Sequence, residues 1–196
     1  MTPTRLNALT DGVVAIVLTI MVLELKIPAE PTPRAVLAVL PLLAAYLLAF
    51  VNVAIYWNNH HHMLQSARRV TGGVLWANHA LLFFLTLFPL MIRWIDDAGI
   101  TPLPVASFGL VLIGGAISYL ILEQMLIRAE GDDSRVKRAV GGGAKEWISF
   151  AFYTAAVPAA FISPYISVAI YVGVSIVWFI PDRRFVPRHD SGGIES

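Results

Sequence analysis

The chain has 196 residues, 57% of them hydrophobic and 14% charged, with a mean hydropathy of +0.71, which is far too apolar for a soluble domain of this length. An integral membrane protein follows, and the formal net charge of +1 carries no information about partners, because in a membrane protein the placement of basic residues matters. The absence of cysteine excludes disulfides, thiolate metal ligands and a cysteine nucleophile.

Six apolar segments can be marked, and the first, about 6–26, is the most informative. Between Val13 and Leu23 the single polar side chain is Thr19, and the flanks bring the run to the roughly 20 residues a spanning helix needs. Arg5 ahead of this run has the outline of a secretory signal. Asp11 and Glu24 interrupt that pattern and no small-x-small site precedes Pro28, so the segment is expected to remain in place. At about 100° per residue, Thr19, Ile20 and Leu23 fall within roughly 60° of Ile16, whereas Asp11 lies about 140° away and Glu24 about 80°. One face is therefore an aliphatic stripe with a hydroxyl in it, fit to pack as core or, by symmetry, to line a pore. Asp11 points the other way, toward neighbouring helices.

A Pro-rich link leads to the second segment, about 35–59, which HHHMLQSARRV closes with polar and basic residues. The cluster Trp57 to His62 invites a metal reading, but His60, His61 and His62 lack the i, i+4 spacing of a helical zinc pair. Hydrogen bonding to buried polar groups is the expectation for one or two of them. The third segment, about 73–95, carries Asn78 and His79 near the same end as the histidine cluster and Asp11. Polar groups at membrane depth must face protein or water, so these three helices are expected to share a hydrogen-bond network. A proton relay through Asp11 and the His60–His62 cluster is the competing reading.

The fourth segment, about 103–127, places Glu123 and Gln124 near its end, where a glutamate is expected to reach the interface. Gly114 and Ser118 here, and Ala169 and Gly173 later, provide small residues at i, i+4 for close helix contacts. AEGDDSRVKRAVGGGAKE then reads as a solvated, flexible loop, with a lipid-headgroup patch as the lesser alternative. The fifth and sixth segments, about 146–161 and 164–180, sit near the lower length limit for spanning, and Ser163-Pro164 allows a tight turn between them. Residues 1–186 thus form one membrane domain and 187–196 a polar tail.

If the N-terminus is cytoplasmic, 11 Lys and Arg residues fall on that side and 3 (Lys26, Arg34 and Arg93) on the other. The bias predicts both termini inside, which agrees with six spans. No repeat relates the two halves, so an inverted-repeat transporter within one chain is not supported. No Ser-His-Asp arrangement, P-loop or dinucleotide fingerprint is present, and no basic and aromatic interleaving of a nucleic-acid surface. An enzyme is not expected, nor a cofactor, nor a nucleic-acid partner. TVGYG-like and Arg-rich voltage-sensor patterns are absent as well, so selection in any channel must be made by side chains.

Arg5-x-x-x-Leu9-Thr10-Asp11-x-x-x-Ala15 resembles the R-x-x-x-F-S-D-x-x-x-A signature that opens the first helix of the transmembrane protein 175 family of endolysosomal potassium channels, in particular its single-repeat prokaryotic members. Trp57-x-x-His60-His61, Leu75-Trp76-x-Asn78, Pro89 and Ile180-Pro181-Asp182-Arg183-Arg184 are similar to that family too. This chain departs from it with Leu9 for Phe and Thr10 for Ser. The resemblance implies a homotetramer in the plasma (inner) membrane of a prokaryote, surrounded by lipid, with four copies of the first helix around the ion path. It implies a hydrophobic constriction at Ile16, a selectivity contribution from Thr19, and a wall continued by Ile20 and Leu23. It also implies that Arg5, Thr10 and Asp11 join His60 or His61 and Asn78 in the network holding that helix. The resemblance further implies potassium as the permeant ion, with no other metal and no cofactor, and Glu24 is expected to concentrate cations near the outer mouth. The alternative function is a proton-coupled carrier of a small solute built on Asp11 and the histidines.

Overall fold

A computed structural model describes residues 2–26, 28–131, 133–140 and 144–179, and all regular structure among them is helical. The elements are α1 (Pro3–Leu23), α2 (Pro33–Ser66), α3 (Gly72–Thr86), α4 (Phe88–Ala98), α5 (Pro102–Glu130), α6 (Arg135–Val140), α7 (Ala144–Ala159) and α8 (Pro164–Phe179). Each start has a local cause. Thr2, Thr32 and Thr71 accept hydrogen bonds from the backbone of Arg5, Ala35 and Val74 at 3.4, 3.2 and 3.4 Å, satisfying amides that no helical carbonyl can reach. Pro3, Pro33 and Pro102 occupy the first helical position, where a missing N–H costs nothing. Gly99 and Gly131 end α4 and α5 at φ of 71° and 76°, a region other residues enter only with strain.

Among the described residues four stretches are long and apolar enough to cross a membrane: α1, α2, Gly72–Ala98 and α5. The third expected segment is broken, because Pro89 has no N–H to give to Leu85 and the chain turns at Leu87 between α3 and α4. The second runs farther than its sequence limit of 59. Nothing in HHHMLQS breaks a helix, and Met63 and Leu64 are buried, so the histidines ride inside a 34-residue element. α7 and α8, of 16 residues each, form an antiparallel hairpin whose turn is closed by Ser163 N–H to the Ala159 carbonyl at 2.9 Å.

α5 is the centre of the subunit, packed on α3 and α7 and touched by α4, α6 and α8. Between lipid-soluble helices, apolar area alone drives no association, so close van der Waals contact must supply the attraction. Gly114 shows the consequence: a methyl group there would overlap the Phe84 ring. Ser118 beside it is buried, whereas Ala169 and Gly173 remain exposed.

Ion pairs gather the loops into two ends. Lys26 bonds Asp96 and Asp97 at 2.8 Å each, and Arg93 faces Glu24 at 3.4 Å. Hydrogen bonds donated to Asp96 and Asp97 raise the Lys26 pKa above its ordinary value. At the opposite end Glu130 accepts from the Arg68 backbone at 2.7 Å and from that of Arg135 at 2.8 Å. The stretch expected to be a flexible loop therefore contains helix α6, started by this carboxylate and pinned by the buried Val136. Asp133, hydrogen-bonded by Arg138, has its pKa pulled down. The Gly141–Gly143 run, the Ile180–Arg184 motif and the tail lie outside the described residues.

Candidate functional site: the first helix and its buried anchor

α1 has two unlike faces. Leu6, Thr10, Val14, Val17 and Met21 are buried against α2, α3 and α4. On the other side Arg5, Ala8, Leu9, Gly12, Ala15, Ile16, Thr19, Ile20 and Leu23 form one uncovered stripe along the helix. Ile16, Ile20 and Leu23 are 58, 41 and 80% exposed. The Thr19 hydroxyl lies 3.0 Å from the Ala15 carbonyl and 2.9 Å from that of Ile16. Its proton is thereby committed to its own helix, and the exposed oxygen keeps acceptor capacity.

The buried face is held by a short chain of neutral groups. The Thr10 hydroxyl donates to the Leu6 carbonyl at 3.2 Å and accepts from Asn78 Nδ2 at 3.3 Å. Asn78 Oδ1 accepts from His60 Nε2 at 2.7 Å. This contact fixes the tautomer, because an amide oxygen can only accept, so Nε2 carries the proton and Nδ1 is a bare acceptor without a partner among the described residues. Thr10, His60 and Asn78 are all at most 2% exposed, so three helices meet at one buried polar point.

The remaining residues of the expected network stand apart from this point. Asp11 accepts from Trp57 Nε1 at 2.7 Å and from Asn7 Nδ2 at 2.9 Å, two partners that the sequence reading did not assign to it. Asn7 precedes Asp11 by four positions, one helical turn, a spacing that could have found it in the sequence. His61 stacks on Trp57, ring centroids 5.7 Å apart, and meets Gln65 at 2.7 Å. Arg5 stands on the uncovered stripe, with no ion pair among the described residues. His79 turns back on its own helix, Nδ1 lying 2.6 Å from the Leu75 carbonyl.

Glu24 faces Arg93 at 3.4 Å, a partner within the subunit that the sequence reading did not assign to it. Glu123 does not reach the interface: it is 4% exposed, covered because α5 continues to Glu130 and α7 packs alongside.

Residues 5–89 match the family described as Endosomal/lysosomal potassium channel TMEM175. A potassium channel of Chryseobacterium sp. (strain P1-3) is 46% identical over 184 residues, covering 94% of this chain and 96% of the relative. A potassium channel of Streptomyces collinus is 27% identical over 63% of this chain and 64% of its own length. Among solved structures, a lysosomal potassium-selective channel TMEM175 homolog from Chamaesiphon minutus matches with a TM-score of 0.80 at 23% identity, covering 94% of this chain and 98% of that one. That match shows a shared fold. With the opening signature, the helical architecture and a full-length relative all in agreement, the chain belongs to the endosomal/lysosomal potassium channel TMEM175 family.

Proposed function

We propose that the protein is a potassium-preferring cation channel, a homotetramer of six-span subunits with both termini cytoplasmic, in the plasma (inner) membrane of a prokaryote. Its ion path is lined by the uncovered stripe of α1. The observation that carries the reading is the composition of that stripe. Between residues 36 and 50 the exposed positions of α2 are Val36, Leu37, Leu40, Leu43, Leu47 and Phe50 with Ala38, Pro41 and Ala44, all apolar, as a lipid-facing surface should be. The α1 stripe mixes Arg5 and Thr19 with its apolar groups, and a basic side chain and a hydroxyl favour contact with protein and water over lipid.

Around a fourfold axis, four Ile16 side chains form an apolar ring that empties of water when narrow and so gates by dewetting. One turn away, four Thr19 oxygens with acceptor capacity receive a cation that has shed part of its hydration shell. Potassium sheds water more readily than sodium, so a preference follows without a carbonyl cage. The buried Thr10–Asn78–His60 chain sets the rotation of α1 that keeps this stripe on the axis. No specific observation favours the carrier: Asp11 is held by an indole and an amide, and the buried chain is of neutral groups.

Purified protein in liposomes under a potassium gradient tests the proposal. Wild type carries potassium flux above that of sodium. Ile16→Asn raises flux in the closed state and lowers discrimination, and Thr19→Val changes the potassium to sodium ratio while flux persists. An Ile16→Asn protein with unaltered flux and selectivity would remove Ile16 from the ion path.

A further inference from the structure

On the flank of the subunit, α5 and α7 enclose a groove of about 350 Å³, within the size range of ligand clefts. Ile117, Ile121, Met125 and Phe150 form its walls, with Gln124, Arg128 and Trp147 toward one end. Ile117 and Ile121 are about half exposed, and Trp147 packs edge-on to Phe150 with ring centroids 6.0 Å apart. From Ile117 to Arg128 the helix rises about 16 Å, close to half of the ~30 Å hydrocarbon core. The groove therefore has the depth of one leaflet. Its interfacial end carries a tryptophan, a residue suited to headgroup level.

Arg128 makes no ion pair among the described residues, unlike Arg68, Arg93 and Arg138. It is also the one charge among the groove's described lining residues, with no carboxylate beside it. The site is thus matched to a headgroup of net negative charge rather than to a zwitterion, whose ammonium would find no acid there. α7 packs on α5 and α8 while α1 packs on α2, α3 and α4. With α1 on the axis, as proposed above, this groove faces the bilayer.

We infer that the groove between α5 and α7 seats one phospholipid with an anionic headgroup per chain, its phosphate against Arg128 and Gln124 and an acyl chain between Ile117, Ile121 and Phe150. The occupied groove adds a second bridge between α7 and α5, which already pack on each other.

Native mass spectrometry of the intact protein, equilibrated with equal amounts of phosphatidylglycerol and phosphatidylcholine, tests this by counting lipid retained per chain in whatever assembly forms. The count is thereby independent of the fourfold reading. Wild type should retain phosphatidylglycerol about fivefold more than phosphatidylcholine, the ratio that ~1 kcal/mol per basic side chain produces. Arg128→Gln should abolish the preference, Ile117→Trp should lower retention of both lipids by filling the groove, and Arg69→Gln, a cation outside it, should change nothing. Circular dichroism and an unchanged oligomer mass show that each variant is folded. Equal retention of the two lipids by wild type, a preference that survives Arg128→Gln, or a groove covered by a second copy and carrying no lipid would each overturn the inference.

Discussion

At the scale of single residues, Asn78 is the joint between helices. Its amide gives to Thr10 on α1 and receives from His60 on α2, so Asn78→Leu removes both bonds at once. Interhelical hydrogen bonds in membranes average about 0.6 kcal/mol and reach ~1.7 kcal/mol. Asn78→Leu is therefore expected to cost about 1–2 kcal/mol, read as a lowered thermal midpoint of the detergent-solubilised protein. Thr10→Val in the same background should add less than it does in wild type, because its partner is already gone; strict additivity would mean that the two residues do not share a bond. The pairing of His60 with Asn78 was legible in the sequence, since polar groups at one membrane depth have few other places to go, whereas Thr10 entered only with the family signature. The surroundings of Asp11 were not legible. Trp57 and Asn7 compete for that carboxylate on equal chemical terms with any histidine, and only the rotation of α2 about its axis decides between them. Arg5 illustrates the same limit, because a basic residue six positions before Asp11 can turn inward or outward without altering the motif.

Helical elements were readable where composition changes sharply and unreadable where it does not. The apolar cores of α1, α2 and α5 stand near their expected places, but α2 ends at Ser66 because histidine, methionine and glutamine are tolerated in helices and carry no stop signal. The break between α3 and α4 is written in Pro89, yet a proline inside an apolar run also fits a kinked single helix. α6 depends on Glu130 reaching forward to cap Arg135 and Val136, a tertiary event that a charge-rich segment does not announce. Packing between α3 and α5 is where the small residues earn a prediction. A side chain at Gly114 must displace the Phe84 ring, so Gly114→Val should destabilise by ~1–3 kcal/mol, the range for overfilling a packed interior. Phe84→Ala introduced alongside should recover part of that loss in a melting experiment. If Gly114→Val melts with wild type and Phe84→Ala only lowers stability further, the two helices do not approach as described.

The whole molecule raises a different question, which is what covers each exposed apolar surface of the 21.4 kDa chain. Two such surfaces differ in chemistry, the mixed stripe of α1 and the apolar side of α2 between residues 36 and 50, and an isolated subunit exposes both. If four subunits place α1 around an axis, the first surface meets water and the second meets lipid. The absence of cysteine allows each to be probed by one introduced thiol with no background reaction. Thr19 and Leu40 are both exposed on the subunit surface and both lie within spanning helices. A membrane-impermeant, water-soluble thiol reagent should therefore modify Thr19→Cys and reduce potassium flux, because thiolates form only where water reaches them. Leu40→Cys, held in hydrocarbon, should resist the same reagent. Equal resistance at both positions would place the α1 stripe in lipid or against another helix. Reaction at both would mean that exposure at this depth does not distinguish an ion path from the bilayer, and the fourfold arrangement would have to be argued from subunit mass alone.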